Sequence, residues 1–318
     1  MNLDPRLAAQ LELSSLTCRE YVERAYRLFL RREPLSEDLK RCVSSLERGT
    51  LSRATLLHEL ASSGEFVLVR ALDDALARAR QARLADERPR ELTAPPATDE
   101  RAVEIAWVLS RYRGEPRLLD VGYAFAEPAY LAELIGLGAA ELVGVDLAAA
   151  EVPGLRAVAA DVRELPFEDS SFDVVFCIST LEHIGLDNRV YGLDADTDPA
   201  GLPRALGELS RVLAAGGRLM ITVPCGEPAD LGSFVQRDPG GWRELFEGSG
   251  LVVFEEEIYE LGGEGWRSAP AFEPVGVRHG ERGPGASAVL CAELRPRRAL
   301  QGMCRAVGRI TRPMRVRG

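Results

Sequence analysis

Lysine is almost missing from this chain: among 39 lysines and arginines in 318 residues, only position 40 is a lysine. No apolar run approaches the roughly 20 residues that a membrane-spanning helix needs. The opening MNLDPRLAAQ lacks the apolar core of a secretory leader. The six cysteines, at 18, 42, 177, 225, 291 and 304, form no C-x-x-C pair, so neither a zinc knuckle nor a disulfide framework is indicated. These absences point to a soluble protein in a reducing cytoplasm.

Positive charge is also scarce over most of the chain. The net charge is −10, yet residues 295–318 hold eight arginines and no acid, so residues 1–294 carry −18. An acidic body argues against a nucleic-acid-binding surface there. In the segment 296–318, Leu300, Met303, Cys304, Val307 and Ile310 recur at helical spacing among the arginines. This basic amphipathic pattern suits peripheral contact with an anionic membrane, and suits docking on the acidic body as well.

What is present divides the chain. Residues 1–92 read as helical: Tyr21, Val22, Tyr26, Phe29 and Leu30 recur at helical spacing, and Ser52 stands where an N-cap would precede Leu56, Leu57 and Leu60. No strand pattern occurs there. TAPPAT (93–98) reads as a linker. From residue 99 to 295 short apolar runs alternate with helical patterns: RLLDVG, ELVGVD, LRAVAA, FDVVFCI and RLMITVP, followed by GWRELFEGSG, LVVFEEEIYE and SAVLCAELR. That alternation predicts an α/β fold, a doubly wound, mostly parallel seven-stranded sheet covered on both faces. Residues 258–286 read as a long connection between the last two strands, containing Trp266 and His279.

In a doubly wound sheet the first strand–helix turn is the natural cofactor site. Here it is LLDVGYAFAE, in which Asp120 and Gly122 are followed by Ala124 and Ala126 where a G-x-G-x-G loop would have glycine. Asp146, ending ELVGVD, stands where a carboxylate accepts from both ribose hydroxyls. To this point NAD and S-adenosylmethionine are equally compatible. The continuous run AADVRELPFEDSSFDVVFCISTLEHI, with ELSRVLAAGGRLMITVP after it, then resembles class I S-adenosylmethionine-dependent methyltransferases over about residues 100–295. The resemblance implies that Asp120, Gly122 and Ala124 lie near the methionine moiety, with Asp146 at the ribose and Leu147 among the cofactor contacts. It likewise places Asp161 and Val162 at the adenine and Ser179 near the sulfonium. S-adenosylhomocysteine would be the product.

Three histidines occur, and His183 in LEHI is the candidate general base, since a near-neutral pKa suits removal of a hydroxyl proton. Tyr191, Trp266 and His279 are candidate acceptor contacts. Asp187, Asp194, Asp196 and Asp198 offer hard oxygen ligands for a divalent metal, but acidic loops are commonly only solvated and the calcium-loop spacing is absent, so no metal site is expected.

The run 21–66 resembles a small bacterial helical domain of undefined function, through Arg32-Glu33-Pro34, Gly49, Ser52-Arg53, Ser63 and Glu65-Phe66. Such domains accompany glycan-related enzymes, which implies a docking role and a sugar, glycan or similar small-molecule hydroxyl as acceptor. A homo-oligomer is compatible with the sequence. Two other classes remain: a non-catalytic interaction protein on the same fold, and an NAD-dependent sugar oxidoreductase. The second would need a Tyr-x-x-x-Lys pair, and Lys40 lies in the helical region.

Overall fold

The computed structural model describes residues 16–189, 192 and 197–298. The chain divides into two compact units, Met1–Asp74 and Ala75–Gly318.

In the first unit, α1 (Cys18–Leu30) starts at a capping box: the Glu20 N–H donates to Thr17 Oγ1 and the Thr17 N–H donates to Glu20 Oε2. It buries Tyr21, Val22, Ala25, Tyr26, Phe29 and Leu30 against α2 (Ser36–Glu47) and α3 (Arg53–Ala61). Ser52 caps α3, accepting from the Thr55 N–H at 3.0 Å. Arg32 grips Glu65 with two bonds of 2.5 and 2.8 Å, and Phe66 meets Phe29 at a centroid distance of 5.3 Å. The motif residues of this unit are therefore fasteners of its own core.

The division falls within helix α4 (Gly64–Ala85), ahead of the boundary expected at residue 92. From Ala75 onward it belongs to the second unit: Ala75, Leu76, Ala79 and Ala82 are buried, and Arg80 and Arg83 both bond Glu133. The TAPPAT segment is not a free linker either. Ala94 pairs with Trp266 through two backbone hydrogen bonds, and Thr98 is fully buried.

The second unit is built on one sheet of eight strands. They are β1 (Arg117–Val121), β2 (Glu141–Asp146), β3 (Arg156–Ala159), β4 (Phe172–Ile178), β5 (Leu213–Pro224), β8 (Leu251–Gly262), β9 (Gly265–Ser268) and β10 (Ala288–Pro296); β6 (Ala229–Asp230) and β7 (Val235–Gln236) form a separate small hairpin. The sheet order is β3-β2-β1-β4-β5-β10-β8-β9, with β1 to β5 parallel and β10, β8 and β9 joined antiparallel. β1, β4 and β5 are almost wholly buried, as strands covered on both faces must be. The covering helices include α5 (Arg101–Ser110), α6 (Pro128–Gly136), α7 (Gly201–Val212) and α8 (Pro239–Gly248).

An eighth strand stands beyond the seven expected. What read as a connection from 258 is the end of β8, a turn at Gly262–Gly265, and β9, which returns along β8. Only 269–287 remains irregular. Trp266 sits on β9, 1% exposed, with Nε1 donating to the Thr98 carbonyl at 3.1 Å. The tail from residue 299, including Leu300 to Ile310, lies outside the described residues. Among the described residues no helix is long and apolar enough to cross a membrane.

Candidate functional site

Strand order reverses between β1 and β4, and the space beyond the carboxyl ends of the parallel strands holds a cavity of about 420 Å³. Its wall takes Asp120 and Gly122 from β1, Asp146 and Leu147 from β2, Asp161 and Val162 after β3, and Ser179 and His183 after β4. His279 reaches it from the 269–287 loop. Of the residues expected from sequence, Ala124 and Trp266 are absent from this wall, and Tyr191 lies outside the described residues. Trp266 lies at the edge of the sheet, where the TAPPAT segment crosses it.

The first turn is built differently from a glycine-rich loop. Only Gly122 has a left-handed backbone, at φ 86°, and a Cβ there would strike the Thr180 side chain across the switch point. Residues Tyr123–Phe125 form a 3₁₀ turn, and Ala126 is ordinarily extended at φ −73°. Neither alanine needs glycine's freedom. Tyr123, fully buried, fills the space instead, its hydroxyl donating to the Ala150 carbonyl at 2.7 Å. Gly144 on β2 makes room for that ring, since a Cβ would lie 2.7 Å from Tyr123 Cδ1.

Asp146 is fixed by the turn it faces. Its Oδ2 accepts the Ala124 N–H at 3.1 Å and its Oδ1 the Ala148 N–H at 2.9 Å. Each oxygen keeps acceptor capacity beyond these bonds, and Asp146 lines the cavity. Asp120 is 2% exposed and accepts the Tyr130 hydroxyl at 2.8 Å; burial first, and then Asp146, push its pKa up to about 7. Asp161 is already engaged. Arg163 donates from Nε and Nη2 and from its backbone, at 2.6–3.0 Å. Burial would raise the Asp161 pKa, but the Arg163 bonds more than offset it and hold it low. The carboxylate expected at the adenine is thus paired with the arginine two residues on.

At the other end, Ser179 holds a strained left-handed backbone, φ 44°. Its hydroxyl donates to Glu104 Oε2 at 2.7 Å. His183 Nδ1 faces the Ser233 carbonyl at 2.8 Å, so Nδ1 carries the proton and Nε2 is the basic nitrogen of the neutral ring. Burial, with a smaller push from His279, lowers the His183 pKa. Phe234 lies between the two histidines, at 5.7 Å from His183 and 4.5 Å from His279. Sequence reasoning missed Glu100, Glu104, Glu182 and Asn188 on this side. Glu104 had a signal: it is the lone acid in the apolar stretch AVEIAWVLS.

The buried acids give the second unit a testable pH response. Burial raises the pKa of Glu104 to about 8 and of Asp120 to about 7, and pushes that of Glu182 up as well. The folded protein then holds protons that the unfolded chain releases near pH 4, so stability falls as pH rises toward these values. The histidines, held neutral, act below about 6.5 and do not oppose this above it. Between pH 6.5 and 8.5 ligand-free protein is expected to lose on the order of 1 kcal/mol per pH unit. Calorimetry showing a Tm that is flat or rises over that range would contradict this ionisation scheme.

Residues 119–221 match the family described as Methyltransferase domain, and residues 8–69 match a domain of unknown function, DUF4214. An uncharacterized protein of Methanocaldococcus jannaschii is 32% identical over 68 residues, 21% of this chain and 23% of that protein. The chain thus spans less than a quarter of the length of that curated relative. Among solved structures, a Burkholderia thailandensis 1,6-didemethyltoxoflavin N1-methyltransferase with S-adenosylhomocysteine bound is 15% identical, over 83% of this chain and 92% of that one, with a TM-score of 0.40. A Thermotoga maritima S-adenosylmethionine-dependent methyltransferase is 15% identical, over 72% and 96%, with a TM-score of 0.39.

Proposed function

We propose that this chain is an S-adenosylmethionine-dependent methyltransferase acting on a small-molecule acceptor. The observation that carries the reading is Asp146, a carboxylate pinned by two backbone N–H groups at the end of β2, beside the left-handed Gly122 at the switch point. Asp146 accepts from the two ribose hydroxyls, and Asp120 faces the methionine ammonium. Leu147 and Val162 supply apolar walls for the adenine, and Asp161, locked by Arg163, keeps one face of that pocket rigid. S-adenosylmethionine supplies an electrophilic methyl group on a sulfonium. The protein's task is alignment of that methyl with the acceptor inside a partly enclosed cavity.

The acceptor atom we favour is a hydroxyl, with His183 Nε2 taking its proton; the neutral, Nδ1-protonated ring is set for that role. A sugar or glycan is the acceptor class suggested by the N-terminal domain, whose own part would be docking.

Calorimetric titration tests the reading directly. S-adenosylmethionine and S-adenosylhomocysteine should each bind with one site per chain. His183→Gln should leave S-adenosylhomocysteine affinity within about twofold while lowering turnover by roughly 10²-fold or more. Absence of binding by both nucleosides would overturn the assignment and favour a non-catalytic interaction protein.

A further inference from the structure

One wall of the cavity carries hydrogen-bond acceptors that are only partly matched among the described residues. Glu182 lines the cavity, is 4% exposed, and its Oε2 has no partner among the described residues. Asn188 lines it too: Nδ2 donates to the His183 carbonyl at 3.0 Å, which fixes the amide orientation and leaves Oδ1 without a donor. Behind them Glu104 is fully buried, with Oε2 taken by Ser179 and Oε1 unpartnered. Glu100 completes the group, one oxygen accepting the Ala286 N–H at 2.9 Å. Gly285 beside it has no side chain, and a Cβ there would overlap the Glu100 carboxylate.

Among the described residues no unmatched nitrogen donor lies on this wall, and the proton that burial keeps on Glu182 in the empty site is given up when a cation binds. The buried nitrogens without partners among the described residues belong to Arg78, Arg111 and Arg237, and none of these lines the cavity. Arg101, at the same opening, is held by Asp99 at 3.0 Å. Buried acceptors left unmatched are costly and uncommon in native structures. A molecule that brings several donors and no acceptor would satisfy them. An ammonium does this, with three N–H donors, whereas a hydroxyl brings one donor and two lone pairs that would face the same oxygens. The acceptors are spread around the opening, and no three acidic, histidine or cysteine side chains among the described residues converge to hold a metal ion.

We propose that this wall binds the protonated amino group of the methyl acceptor, with Glu182 and Asn188 accepting its N–H bonds, so that the substrate is a small amine-bearing compound. The identity of this molecule as the acceptor rests on the methyl-transfer reading; the amine site itself does not. Burial, with Glu104 and Glu100 nearby, raises the Glu182 pKa, and a bound cation would favour its ionised form. The amine is a handle in this scheme, and the hydroxyl presented to His183 is a different group of the same molecule.

The test uses full-length protein saturated with S-adenosylhomocysteine and three matched pairs: ethylamine with ethanol, cyclohexylamine with cyclohexanol, and glucosamine with glucose. Ligand-observed NMR titration should show at least one amine binding about tenfold or more tighter than its hydroxyl partner. Glu182→Gln, which keeps the shape and removes the charge, should abolish that preference. No preference in any pair, or a preference that survives Glu182→Gln, overturns the proposal. The wild-type comparison stands even if the variant fails to fold. S-adenosylhomocysteine titration of the same samples separates the two readings. Nucleoside binding without amine preference leaves the methyltransferase and removes the amine site. Amine preference without nucleoside binding does the reverse.

Discussion

Replacing Asp146 by alanine is expected to weaken S-adenosylhomocysteine binding by about a hundredfold or more, the largest functional effect of any single change in the cavity. Hydrogen bonds to a charged group contribute about 1.5–3 kcal/mol each, and two ribose hydroxyls would lose their acceptor together. Each 1.4 kcal/mol is about tenfold in affinity. The substitution acts on the protein as well. The Ala124 and Ala148 N–H groups lose Asp146, so the turn after Gly122 and the chain after β2 lose the group that ties them together. Asp146→Asn keeps one acceptor oxygen and should fall between wild type and alanine. The check is isothermal titration with each variant beside a thermal melt. A Kd within about threefold of wild type for Asp146→Ala would show that the ribose is held elsewhere.

Arg218→Met should cause the largest loss of stability. Arg218 is 5% exposed on β5 and bonds Glu293 of β10 at 3.2 Å, Glu115, and the Arg111 carbonyl at 2.8 Å. Glu293 is fully buried, with Arg295 at 2.7 Å as its other cation. Removing one partner of a buried pair commonly costs about 3–5 kcal/mol, because a charge stays behind in an apolar setting. In a unit of this size that corresponds to a drop in Tm of about 10 °C. Adding Glu293→Leu to Arg218→Met should recover a good part of the loss, since the stranded charge is then gone. Differential scanning calorimetry of both variants decides it. A loss under about 1 kcal/mol for the single change would mean that Arg295 alone neutralises Glu293.

Both effects trace to residues whose legibility differed. Asp146 could be found in the sequence because a strand pattern ending in an acid is local: ELVGVD shows the strand, its end and the carboxylate together. Arg218 could not, because its partners lie about a hundred residues before and 75 residues after it, and only sheet pairing joins them. The same division runs through the site. Gly122, Asp120, Asp161 and His183 sit at strand ends that the alternating pattern marks. The acceptor-rich wall comes from Glu100 and Glu104 at the start of α5 and from Glu182 and Asn188 after β4, with the 269–287 loop supplying the Ala286 N–H, and no spacing rule connects these segments.

The sequence by itself determined the layered architecture, since runs buried on both faces must be apolar and the helices between them amphipathic. It also marked the turn that we propose for the cofactor and which carboxylates stand at strand ends. The tertiary structure decided the rest. It showed that Ala124 and Ala126 occupy ordinary backbone conformations, so that in this turn only Gly122 requires glycine, and that Tyr123 of the turn fits against Gly144 of β2. It placed Trp266 in the sheet edge and His279 at the cavity, though both looked alike as residues of one long connection. Backbone conformation and burial depend on what packs from elsewhere in the chain, and that information is absent from any single stretch of it.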